Sequence, residues 1–127
     1  MGAHPEAGAD WVRATAMGQL EAGGKVIVQY DDRPVLVLWN DGSPVAMADT
    51  CIHRERSLSQ GVLLNGRLVC PGHQWAFCLD DGFCKERDRF QPMHEVRVDG
   101  EDVWVGPPNR AHPLLDAPQA GAGAPNP

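Results

Sequence analysis

No run of strongly apolar side chains in this chain is longer than Val35-Leu36-Val37-Leu38-Trp39. About 20 such residues are needed to cross a bilayer, so no membrane anchor is expected. Positive charge is also scarce. Eleven Lys and Arg face seventeen Asp and Glu, for a formal net charge of -6, which repels phosphate backbones and anionic lipid and argues against nucleic acid or a membrane as partner. Glu6 and Asp10 stand where a secretory signal would need positive charge and then an apolar stretch, so the cytoplasm is the expected compartment. Helical periodicity is not sustained anywhere, and there is no internal repeat. Room for a second domain is lacking as well, since 127 residues make one domain of ordinary size. What is present, 43% hydrophobic and 22% charged residues, suits a globular protein that buries a core, and neither a disordered nor a collagenous chain has this composition.

Turn signals recur at short spacing: Asp31-Asp32-Arg33-Pro34, Asn40-Asp41-Gly42, Asn65-Gly66, Asp80-Asp81-Gly82 and Asp99-Gly100. Each lies between short apolar stretches, which is the punctuation of an all-β chain. Strands are expected near Trp11 to Ala14, Lys25 to Tyr30, Val35 to Asn40, Val45 to Asp49, Val62 to Leu64, Arg67 to Val69, Trp75 to Leu79, Glu95 to Val98 and Val103 to Val105. Val35 to Trp39 is apolar on both faces, as in a strand buried inside a small barrel or sandwich, whereas Glu95-Val96-Arg97-Val98 alternates and should have one wet face. The expected architecture is an antiparallel β-sandwich or barrel. The last 19 residues hold five Ala, four Pro and two Gly with little to bury, so residues 109–127 read as a disordered tail and residues 1–9 as a flexible N-terminus. The domain is then residues 10–108.

Two segments combine thiol and imidazole: Cys51-Ile52-His53, and Cys70-Pro71-Gly72-His73, with 16 residues between His53 and Cys70. Each follows an expected strand, in loops that also hold Gly61, Pro71 and Gly72, so the two could meet at one end of a barrel. One reading is simple packing of buried Cys and His, which requires four ligand-competent side chains to cluster by accident. A second is a zinc site of two thiolates and two imidazoles, although zinc spacings usually pair Cys with Cys and His with His. A third is a [2Fe-2S] centre with two Cys on one iron and two His on the other.

The run Cys51-x-His53-Arg54, Leu58-Ser59-x-Gly61-x-Leu63, and Cys70-Pro71-x-His73-x-Trp75-x-Phe77 with Gly82 beyond resembles the Rieske-type ferredoxin family from about Trp11 to Val105. The resemblance implies stacked β-sheets, a cluster-binding subdomain formed by two loops, and one Rieske [2Fe-2S] cluster held by Cys51, His53, Cys70 and His73. It places Pro92 in a loop that shields the cluster. Glu55 and Gln74 replace the glycines usual after each His. Arg56 and Gly72 occupy the positions of the loop-to-loop disulfide of the respiratory-complex branch, and Trp75 that of its serine, which excludes that branch. No room remains for the mononuclear iron domain of a ring-hydroxylating oxygenase.

The resemblance further implies a soluble, monomeric one-electron carrier that converts no organic substrate itself. It would take electrons from a flavoprotein reductase and pass them to a terminal oxygenase, meeting each transiently. The alternatives are the Rieske-like small subunit of an NADH-dependent nitrite reductase, or a zinc-stabilised binding module. Trp75 and Phe77, with Trp11, Trp39 and Trp104, read as packing residues. His4 and His112 lie in the expected tails and His94 has no ligand neighbour, so none of the three receives a metal role. Cys78 and Cys84 flank Asp80-Asp81-Gly82 as cross-strand neighbours, with Leu79 opposite Phe83, and are expected to be free thiols.

Overall fold

The structure is a computed structural model and describes residues 10–52, 56–71 and 75–116. Its main sheet has six strands, β1 (Val12–Ala16), β2 (Val26–Tyr30), β3 (Arg33–Asn40), β4 (Ser43–Ala48), β10 (Met93–Asp99) and β11 (Asp102–Pro108). They lie in the order β1-β11-β10-β4-β3-β2. All ladders are antiparallel. The end strands β1 and β2 approach each other without a ladder, and the Tyr30 hydroxyl donates to the Asp10 carbonyl at 2.8 Å across the gap. The sheet is thus a nearly closed barrel.

Turn chemistry drives this topology. Asp31 and Asp32, Asp41 and Gly42, and Asn65 and Gly66 all have positive φ, the paired left-handed conformation that matches the twist of a two-residue hairpin. The register follows, with Tyr30 opposite Arg33 and Asn40 opposite Ser43. The run from Val35 to Trp39 is apolar on both faces because β3 lies between two cores. Val35 and Val37 point into the barrel with Leu20, Ala46, Val103 and Val105, and Trp39 packs at its edge. Leu36 and Leu38 point the other way, into a second core with Met47, Leu58, Leu68, Phe77 and both Cys51 and Cys70.

That second core lies beneath the insertion between β4 and β10. The insertion contains a 3-10 turn at Leu58–Gln60, a three-stranded sheet of β5 (Val62–Leu64), β6 (Arg67–Val69) and β7 (Ala76–Cys78), and a hairpin of β8 (Phe83–Cys84) and β9 (Arg89–Phe90). All nine expected strands are present. The two-residue strands β8 and β9 carry too short a pattern to be read from sequence, as does the five-residue helix α1 (Met17–Glu21), whose fixing contact is the wholly buried Leu20. The alternation in β10 leaves Glu95 and Arg97 exposed and Val96 half-buried, but Val98 emerges to 45% exposure.

Two expectations are corrected. Cys78 and Cys84 are both free but are not a cross-strand pair, because β7 ladders with β6 while Phe83 faces Phe90 and Cys84 faces Arg89. Gly82 turns the chain away from β7: its φ is +83, and a Cβ there would lie 2.3 Å from the Gln91 carbonyl oxygen. Nor does a disordered tail begin at residue 109. Asn109 exchanges two hydrogen bonds with Met93, from its N-H to the Met93 carbonyl at 2.8 Å and from the Met93 N-H to its side-chain oxygen at 3.1 Å. Beyond it His112 is only 3% exposed. Low apolar content concealed a segment held by polar contacts. The expected flexible residues 1–9 and the end of the tail from 117 onward lie outside the described residues.

Candidate metal centre

The two cysteine loops close in the same way. The Cys51 N-H donates to the Arg56 carbonyl at 2.9 Å, and the Cys70 N-H to the Trp75 carbonyl at 2.7 Å. In each case the chain leaves a strand, places the cysteine, and returns five residues later. The first loop is further closed by the Thr50 to Ser57 bridge and by the Leu58 N-H donating to the Asp49 carbonyl at 2.7 Å. Gly61 is required where the first loop meets the second, since a Cβ there would lie 2.2 Å from the Val69 carbonyl oxygen.

Three buried polar side chains organise these loops, and none was given a role from sequence. The Asp49 carboxylate accepts from the Ser57 hydroxyl at 2.5 Å and the Ser59 N-H at 2.8 Å, which caps the turn that carries Leu58 inward. Gln91 is wholly buried. Its Oε1 accepts the Ile52 N-H at 3.0 Å, and its Nε2 donates to the carbonyls of Ala48 and Thr50 at 2.8 and 2.7 Å. His112 reaches the same Thr50 carbonyl with Nε2 at 2.7 Å. Gln91 precedes Pro92 in sequence, but isolated polar residues of this kind leave no periodic signal. Pro92, expected in a shielding loop, is buried and its carbonyl accepts the Ala48 N-H at 3.0 Å.

Cys51 and Cys70 are 0% and 1% exposed and their sulfurs meet. Burial, then a hydrogen bond and charge repulsion from Cys51, push the Cys70 thiol up to about 12, with Arg56 pulling the other way. The Cys70 thiol, buried against Cys51, therefore keeps its proton at neutral pH. A polycation beside them reverses that balance by favouring thiolate, so the donor pair fits a metal cluster. The surrounding side chains are apolar: Ile52, Leu58, Trp75 and Phe77 belong to the same core. Trp75 lies tilted on Phe77 with ring centroids 6.3 Å apart, and the Arg87 guanidinium sits 5.2 Å above Trp75. Burial in the core bears out the packing reading for both rings.

The structure thus brings together the two cysteines expected at the centre. The expected histidines, His53 and His73, lie outside the described residues, as do Arg54, Glu55, Gly72 and Gln74. Among the described residues no three His, Cys, Asp or Glu side chains converge as a metal site, so Cys78 and Cys84 form no centre of their own there. Likewise, no helix among them is long and apolar enough to cross a membrane.

A family model for the Rieske [2Fe-2S] domain matches residues 10–105. The biphenyl dioxygenase ferredoxin subunit of Pseudomonas sp. (strain KKS102) is 32% identical over 98 residues, covering 75% of this chain and 90% of that protein. The ferredoxin of carbazole 1,9a-dioxygenase from Nocardioides aromaticivorans IC177 superposes with a TM-score of 0.70 at 26% identity, covering 78% of this chain and 99% of that one. A ferredoxin solved in complex with the oxygenase of a carbazole 1,9a-dioxygenase gives 0.68 at 27% identity, over 76% and 92% of the two chains. The chain belongs to the Rieske [2Fe-2S] domain family, and its cofactor is one [2Fe-2S] cluster of Rieske type. Within that family its likeness is to the electron-transfer ferredoxins of dioxygenase systems.

Proposed function

We propose that Cys51, His53, Cys70 and His73 hold the cluster, and that the protein carries single electrons from a flavoprotein reductase to a terminal oxygenase. The observation that supports this most directly is the meeting of two buried cysteines from two loops, each closed by a hydrogen bond from the cysteine N-H to a carbonyl five residues on. When bound, the cluster would supply a one-electron couple. The chain's own contribution is to hold two thiolates on the inner side of the loops, fix both loops by backbone closure, and keep the core beneath them apolar. Relatives solved with an oxygenase support the acceptor; the reductase, a monomeric state, a cytoplasmic setting and the absence of any substrate turnover are our reading.

The charges of two ferric ions, two sulfides and two thiolates cancel, so the formal charge of -6 holds in the oxidised protein and grows by one on reduction. Basic patches on the partners would then speed encounter, and salt would weaken that steering. Purified protein should contain about two irons and two acid-labile sulfides, with a resonance signal of mixed Cys and His ligation on reduction. His53→Ala or His73→Ala should abolish the signal, and reduction by the cognate reductase should slow as salt rises. Stoichiometric zinc without iron would overturn the ligand reading. A stable complex surviving gel filtration, or a rate indifferent to salt, would replace the mobile carrier with a permanent subunit.

A further inference from the structure

Residues 109–116 lie beyond the family match, which ends at residue 105, yet they are fastened at both ends. Asn109 is tied to Met93 at the start of β10. At the other end Arg33 of β3 grips the segment with both terminal guanidinium nitrogens, Nη1 on the Asp116 carboxylate at 2.6 Å and Nη2 on the Leu115 carbonyl at 3.1 Å. Asp116 closes the turn internally, its other oxygen accepting the His112 N-H at 2.8 Å while its own N-H donates to the His112 carbonyl at 2.8 Å. This strap carries His112 down onto the first cysteine loop.

We propose that the strap is a positioning element for the cluster and that His112 is its positioning residue, acting on Cys51 through the Thr50 carbonyl. The inference rests on Cys51 being a cluster ligand. The ring's role follows from its partners. Nδ1 faces the N-H groups of Leu114 and Leu115 at 3.1 and 3.2 Å and can only accept from them. The hydrogen is therefore on Nε2, which donates to the Thr50 oxygen at 2.7 Å. Gln91 donates to the same oxygen at 2.7 Å, so both lone pairs of the carbonyl are engaged. Its peptide partner is the Cys51 N-H, which donates to Arg56 and closes the ligand loop at 2.9 Å. Two donors on the carbonyl polarise that peptide group, strengthening the bond its N-H makes. His112 and Gln91 thus hold the backbone at Cys51 from one side while Arg56 holds it from the other.

Removing an outer partner of a metal ligand commonly costs about tenfold or more in metal retention. In the full-length holoprotein, His112→Ala should release iron to a chelator about tenfold faster than the parent and alter the visible circular dichroism of the cluster. His112→Gln, whose amide can donate to the same carbonyl, should retain iron within about threefold of the parent and restore the spectrum. Val26→Ala, a truncation at the barrel core away from the loops, controls for general loosening: at equal loss of melting temperature it should leave release and spectrum at parental values. Arg33→Ala, which frees the far end of the strap, should shift both readouts in the direction of His112→Ala even if His112→Ala itself fails to fold. Parental release and spectrum in His112→Ala, or in Arg33→Ala where the former is not obtained, would overturn the inference. So would release from His112→Ala no faster than from the Val26→Ala control. Cys51→Ala in parallel separates the two readings: iron retained there overturns the ligand assignment, whereas iron lost there alongside a parental His112→Ala overturns the strap alone.

Discussion

Gln91 and Ile52 lie 39 residues apart and are joined by a buried hydrogen bond of 3.0 Å, from the Ile52 N-H to the Gln91 Oε1. The same side chain donates to Ala48 and Thr50, so one amide ties the end of β4 to the residue after Cys51. Gln91→Leu would leave the Ile52 N-H and the Ala48 carbonyl without this partner in a site closed to water. Each unsatisfied buried group costs about 1–3 kcal/mol, so the variant should lose about 2–6 kcal/mol by chemical denaturation. A loss under about 0.5 kcal/mol would show that the clamp is not what holds the loop.

The potential should fall toward the low end of the Rieske range, near about -150 mV. Hydrogen bonds to cluster sulfur raise the potential by stabilising the more negative reduced state. Trp75 occupies the position at which the respiratory branch has a serine hydroxyl, and here it is a packed ring under Arg87. A midpoint measured above about +150 mV on the same scale would contradict this.

Cys78 and Cys84 should be bystanders. Cys84 is buried, and burial, followed by the hydrogen bond and charge of Glu86, holds its thiol up against the backbone N-H groups that favour the thiolate. The double Ala variant should keep its full iron content and its midpoint, since neither residue lies in the Cys51 or the Cys70 loop. Iron loss in this variant at unchanged melting temperature would show the ligand assignment to be wrong.

How much of this was legible in the sequence follows from which residues carry local signals. Asp31-Asp32, Asp41-Gly42 and Asn65-Gly66 announce hairpins because few other residues tolerate positive φ, and Val35 to Trp39 announces a strand with two buried faces. Cys51 and Cys70 stood out by residue type and spacing. Gln91, Asp49 and His112 were invisible because their roles depend on partners 8 to 62 residues away, a property that no window along the chain contains. The strap failed for the same reason: Ala and Pro content argues correctly that residues 109–116 bury little apolar surface, yet polar contacts to Met93, Thr50 and Arg33 hold them.

His94 supplies a pH dependence that separates it from the carboxylates. Its Nδ1 donates to the Gly106 carbonyl at 2.7 Å, and its ring stands edge-on to Tyr30 with centroids 5.2 Å apart. Burial lowers its pKa below the ordinary histidine value, and the Gly106 bond offsets that only in part. A lowered folded value means that the unfolded chain takes up the proton first. Stability from the neutral ring is therefore fully present above the unfolded midpoint of about 6.5, and is lost as pH falls from there toward the folded midpoint. Each pH unit between the two midpoints is worth about 1.4 kcal/mol. His112 lines the same cleft and is common to the parent and to a His94→Phe variant, so the difference between them isolates His94. Asp116, on the same cleft, is held below its usual range by the His112 N-H and by Arg33, so it protonates at lower pH. His94→Phe should keep the contact with Tyr30 while removing the proton site. Between about pH 7 and pH 5 the parent should lose more stability than this variant, and parallel slopes would show that His94 does not carry the effect.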